Sequence, residues 1–98
     1  MKPTFKNHPA ETGLRAVGNI SGADIKVKGK RVGTIIGASS FGGFKHRIQV
    51  AVKAETEKRG WRWIMPGISF GHRDQAKEWL RENFADIVAG HDLHAFDD

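Results

Sequence analysis

From Phe44 to Lys53 the chain alternates two sets of residues without a break. Phe44, His46, Ile48, Val50 and Val52 form one set, and Lys45, Arg47, Gln49, Ala51 and Lys53 the other. A period of two marks a strand with one buried and one solvated face. After Phe70 the period changes: Ala76, Trp79, Leu80, Phe84, Ile87 and Val88 fall at the spacing of one helix face. In a chain of 98 residues, an apolar strand face and an apolar helix stripe must cover each other. The expected class is α+β: an antiparallel sheet of three or four strands packed on one C-terminal α-helix, with a flexible N-terminal arm.

The rest of the chain is divided around that frame. Residues 1–22 read as the flexible arm, because Pro3, Pro9, Gly13, Gly18 and Gly22 interrupt every apolar period. Residues 23–90 form the sheet-plus-helix domain. Within it, Asp24–Lys28 and Arg31–Ile36 read as strands around a turn at Gly29-Lys30, and Gly37–Gly43 as a flexible loop. Trp61–Met65 reads as the last strand, stopped by Pro66-Gly67. The helix is expected from Arg73 to about Ala89, with Asp74 suiting its N-terminal dipole and Gly90 stopping it. Trp79 and Leu80 are expected to be buried against the sheet, and residues 91–98 form an acidic tail.

Charge is unevenly spread. Residues 1–60 hold 12 Lys/Arg against 4 Asp/Glu, and residues 61–98 hold 4 against 7. A basic half joined to an acidic half suggests a polyanion-facing surface with a packed or solvated back.

Several chemistries are excluded. There is no cysteine and no tyrosine, so disulfides, thiolate chemistry and phenol chemistry are out. No apolar run approaches the ~20 residues that cross a bilayer, and residues 1–9 lack the apolar core of a secretory signal. No membrane partner and a cytoplasmic location are expected. The glycine loop fails as a phosphate cradle, because Gly43 and Phe44 stand where a P-loop needs Lys and Ser/Thr. His91 and His94, with Asp97 and Asp98, would share a side only if the helix passed Gly90, so they read as solvated. No cofactor, metal or catalytic residue is expected, and the chain does not read as an enzyme.

The informative feature is the solvated side of the sheet. It is expected to show Lys45, Arg47, Gln49, Lys53 and Arg62, with Lys30 and Arg31 extending the patch at the neighbouring turn. Arg suits guanine O6/N7 and Gln suits adenine N6/N7, while Lys suits phosphate. An exposed sheet face is also ordinarily polar, and Lys at strand edges discourages aggregation. Trp61 and Trp63 share one side of their strand. Facing the helix they are core partners for Trp79 and Phe84, the expected arrangement; facing out they would be stacking platforms for unpaired bases.

From Ile68 to Leu80, the positions of Phe70, Ala76, Trp79 and Leu80 resemble the arm-type DNA-binding domains at the N-termini of phage and mobile-element integrases. The similarity covers roughly residues 30–90, with Gly33–Ile35, Phe44–Val52 and Trp61–Trp63 following the strand order. His72 stands where that family has a Thr cap. The resemblance implies three antiparallel strands closed by a helix, with the sheet in the major groove of double-stranded DNA through Arg47, Gln49 and Arg62. It implies a free-standing, non-catalytic DNA-binding module of phage or mobile-element type. The rival expectation is a small protein-binding modulator, such as a phage-type inhibitor of a host protein complex. An acidic rear helix face (Asp74, Glu78, Glu82, Asp86) would suit that role. The sequence leaves the oligomeric state open.

Overall fold

The computed structural model describes residues 2–8, 22–40 and 43–96. Residues 1 and 9–21 of the expected arm, the 41–42 part of the expected loop and the last two tail residues lie outside this range. The elements run β1 (Thr4–Asn7), β2 (Ala23–Val27), β3 (Lys30–Ser40), β4 (Gly43–Lys53), β5 (Trp61–Ile64), β6 (Ser69–Phe70) and α1 (Arg73–Ile87). The fold is α+β, with one antiparallel sheet in the order β1-β2-β3-β4-β5 and β6 also paired to β4.

The central hairpin follows from the alternation. β3 and β4 pair from Gly33↔Val50 out to Ser40↔Gly43, so Gly37–Ser40, expected in a loop, continue the strand. The β2–β3 turn is Lys28-Gly29, with φ of 53° and 78°. Two left-handed residues give the twist that a two-residue hairpin needs.

β3 carries one irregularity. Ile25 pairs with Gly33 but Lys26 with Arg31, leaving Val32 as an extra residue. Such a bulge bends its strand and reverses which side the residues before it face. Val32 is buried in the core, and Arg31 is turned to the opposite side with Lys26. Gly33 is required there: a Cβ would lie 2.3 Å from the Gln49 carbonyl oxygen.

Thr4–Asn7 do not hang free as part of an arm. They form an edge strand from Thr4↔Lys26 to Asn7↔Ala23. The helix secures that edge, because Lys77 Nζ donates to Asn7 Oδ1 and the Arg81 guanidinium lies 5.4 Å from the Phe5 ring centre.

The helix begins at a cap: His72 Nδ1 accepts the Asp74 N–H at 3.1 Å, taking the role expected of a Thr. Ala76, Leu80, Phe84 and Val88 bury one stripe against Ile25, Ile35, Ile48 and Val50. Phe84 and Leu80 are fully buried, whereas Trp79 is only partly so and packs at the rim on Phe70. The helical residues end at Ile87, and Gly90 takes the left-handed conformation just beyond (φ 78°).

Residues 92–96 are not a loose acidic tail. They sit where β3 and β4 diverge, with Leu93 opposite Val52 and Phe96 opposite Arg31. Three backbone bonds hold them: Lys53 N–H to Asp92 C=O (2.8 Å), His94 N–H to Ala51 C=O (3.0 Å) and Phe96 N–H to Arg31 C=O (2.9 Å). The tail therefore continues the sheet into the seam that the bend of β3 opens.

Candidate nucleic-acid interface

The helix covers one side of the sheet, and register decides what the other side shows. On β4, His46, Ile48, Val50 and Val52 are buried on the helix side. Lys45, Arg47, Gln49, Ala51 and Lys53 take the opposite, open side, as alternation requires. Residues directly across a ladder share a side. Ile36 lies beside Arg47 and Thr34 beside Gln49 on β3, and the bulge brings Arg31 to the same side. Arg47 and Lys53 are exposed, and Lys45, Gln49 and Arg31 are half-buried. Gln49 Nε2 donates to the Met65 sulfur at 3.5 Å.

Two expectations about β5 are overturned. Ala51 pairs with Trp63 and Lys53 with Trp61, so both tryptophans face the open side rather than the helix. Arg62 pairs with Val52 and belongs to the helix side, away from Arg47 and Gln49. The cause is register: a one-residue slip exchanges every side chain between faces. The helix side is filled without Trp61 or Trp63, by residues of β2, β3 and β4 with Phe70, Trp79 and Leu93. Lys30 sits exposed at the β2–β3 turn, opposite Val27, outside the open-side row.

The outward tryptophans join an aromatic cluster with the tail. Trp61 and Trp63 meet edge to face at 4.9 Å. Trp61 stacks on His94 (5.6 Å, 21°) and Trp63 on Phe96 (5.7 Å, 23°). The Arg31 guanidinium lies 5.1 Å from the Phe96 ring centre and that of Arg59 lies 5.8 Å from Trp61. Ala51 is completely buried at this cluster although it belongs to the solvated set of β4. Trp63 keeps 36% of its surface exposed.

Next to the cluster, a cleft of about 520 Å³ opens between β4 and the Met65–Ser69 segment. Ile36, Met65 and Ile68 give it apolar walls, and Lys45, Arg47 and Gln49 line it with polar groups. The open side thus joins cations, an amide, an apolar cleft and an aromatic platform along one strand. Asp24 also lies on that side, where His8 Nε2 approaches its carboxylate at 2.8 Å.

The sequence offers Trp61 and Trp63 as outward platforms only as the alternative to a core place, and it gives no site role to Phe96 or Arg59 and no aromatic role to His94. A trace was present: Trp61-x-Trp63 and His94-x-Phe96 both repeat aromatic groups at the strand period, and Ala51 is the one small residue in the polar set of β4. Among the described residues no group of three His, Asp or Glu side chains is placed to hold a metal ion. No helix among them is long and apolar enough to cross a membrane. Comparison with family models, curated proteins and solved structures gives no match.

Proposed function

We propose that the chain is a non-catalytic DNA-binding protein that engages DNA with the open side of its sheet. One observation carries this reading: β4 aligns Lys45, Arg47, Gln49 and Lys53 on a single side, and that row runs into the Trp61–Trp63 cluster. Cations along a strand suit phosphates, and Gln49 between them offers the paired donor and acceptor that a base edge needs. The resemblance to arm-type domains supports the same use of the sheet and a phage or mobile-element setting, with Arg62 removed from the contact set.

The test is titration of labelled DNA with the full chain at low salt, repeated with Arg47→Ala and Lys53→Ala together. Binding that rises with falling salt and is lost in the double variant supports the reading. Absence of binding at low salt defeats it.

A protein partner is the second reading, and one observation favours it. The helix exposes Asp74, Glu78, Glu82 and Asp86 on the side away from the sheet, and its last turn has no basic residue. Charge reversal at Glu78 and Glu82 would abolish such a contact and leave DNA affinity intact.

A further inference from the structure

We infer that the DNA taken by this face is single-stranded, with one unpaired base stacked on Trp63 and a neighbouring base lodged in the cleft beside Gln49. The inference rests on the DNA-binding reading and specifies the form of its ligand.

Three observations lead to it. First, Trp63 is held by stacking on Phe96 and by edge contact with Trp61 and still remains 36% exposed, so a fixed indole is accessible at this surface. A duplex hides the faces of its bases within the stack, and only an unpaired base can use such a platform. Second, the cleft of about 520 Å³ has apolar walls at Ile36, Met65 and Ile68 and a polar lining at Gln49 and Arg47. That volume lies in the range of small-molecule sites, which suits one flipped heterocycle. A base can turn into it only after leaving the stack. Third, the cations stand in a row along β4, and Trp63 lies directly across the ladder from Ala51, between Gln49 and Lys53. One flexible strand can follow that row, with phosphates at Arg47 and Lys53 and bases turned inward between them. Trp61, His94 and Phe96 are packed on one another and serve as the backing of the platform.

The test uses the full chain and fluorescence anisotropy with a labelled oligothymidine of about 12 nucleotides, within the site sizes of single-strand binders. A thymidine–adenosine duplex of equal length is titrated in parallel. The expected result is single-strand affinity at least about tenfold above duplex affinity. Trp63→Leu keeps an apolar side chain but removes the π-face. It should weaken single-strand binding about tenfold, with duplex binding changed by less than roughly twofold, and Trp63→Phe should recover much of the loss. Circular dichroism checks that Trp63→Leu folds; if it does not, the single-strand preference of the unaltered chain decides. Equal or tighter duplex binding overturns the inference, as does a folded Trp63→Leu with full single-strand affinity. In either case binding itself remains and the DNA reading stands. Absence of binding to both forms at low salt overturns that underlying reading as well.

Discussion

Val52 stands directly across the β4–β5 ladder from Arg62. Val52 is fully buried on the helix side, so Arg62 emerges at the rim of that side and its neighbours Trp61 and Trp63 turn to the other. This single pairing determines the character of the open face. Without it the face would be a plain basic surface; with it, the cations flank an aromatic platform.

The pairing separates two arginines that are adjacent in charge but not in function. Arg62→Ala should leave DNA affinity within about 0.5 kcal/mol of the unaltered chain, the range of a surface change away from the contact. Arg47→Ala removes a phosphate contact and should cost about 1 kcal/mol or more, much the same on every sequence. Parallel anisotropy titrations of the two variants check this. Equal losses would place both arginines on the contact surface and contradict the register.

Salt should act strongly. Arg31, Lys45, Arg47 and Lys53 offer cations on the open side. If all four meet phosphates of a single strand, log K should fall with log salt at a slope of roughly −3. Replacing Lys53 with Ala should reduce the slope by roughly 0.7 without changing sequence preference. A slope near zero would mean that the row does not meet phosphate.

Gly33→Ala should be among the most damaging small substitutions. The added Cβ would lie 2.3 Å from the Gln49 carbonyl oxygen and 3.0 Å from Val50 Cα, both backbone atoms. Overpacking costs about 1–3 kcal/mol, and a clash with two backbone atoms belongs at the upper end, a large share of the stability of so small a domain. Urea denaturation followed by circular dichroism measures it.

The helix stripe should show a gradient. Phe84 is 1% exposed at the centre of the core, so Phe84→Ala should cost about 3–5 kcal/mol. Trp79 is partly buried against Phe70, so Trp79→Ala should cost about 2 kcal/mol, below the range for a fully buried aromatic. Chemical denaturation of the two variants compares them, and a larger loss at Trp79 would contradict the packing.

What could be read from the residues follows from which interactions are local. The alternation of Phe44–Lys53 and the spacing of Ala76–Val88 are decided within a few residues, and both elements stand where those patterns place them. β1 was hidden because Thr4–Asn7 offer one apolar residue, Phe5, and form a strand only by pairing with β2. The facing of Trp61 and Trp63 depends on the register across residues 54–60, which no alternation within β5 reveals. The tail carries no period of its own. Its place is created by the bulge at Val32, which separates β3 from β4 and leaves backbone groups to be satisfied. Of the open face, Arg31, Lys45, Arg47, Gln49 and Lys53 are therefore legible, whereas the facing of Trp61 and Trp63 and the docking of Phe96 on them are not.

The docking of residues 92–96 also bears on how the molecule is assembled over time. The β2–β3 and β3–β4 hairpins close over short stretches of chain, whereas the bridge from Arg31 to Phe96 joins the central strand β3 to a segment far along the chain. Contacts between sequence-distant segments lose loop entropy before they gain stabilisation, and they form late. The seam is then the last part to close in folding and the first to open afterwards, with the amides of His94 and Phe96 exchanging faster than that of Ile48. Each opening uncovers the backbone of Ala51 and Lys53 and takes Phe96 away from Trp63. The aromatic face thus has its own local equilibrium, which can be lost while the hydrophobic core under the helix remains intact.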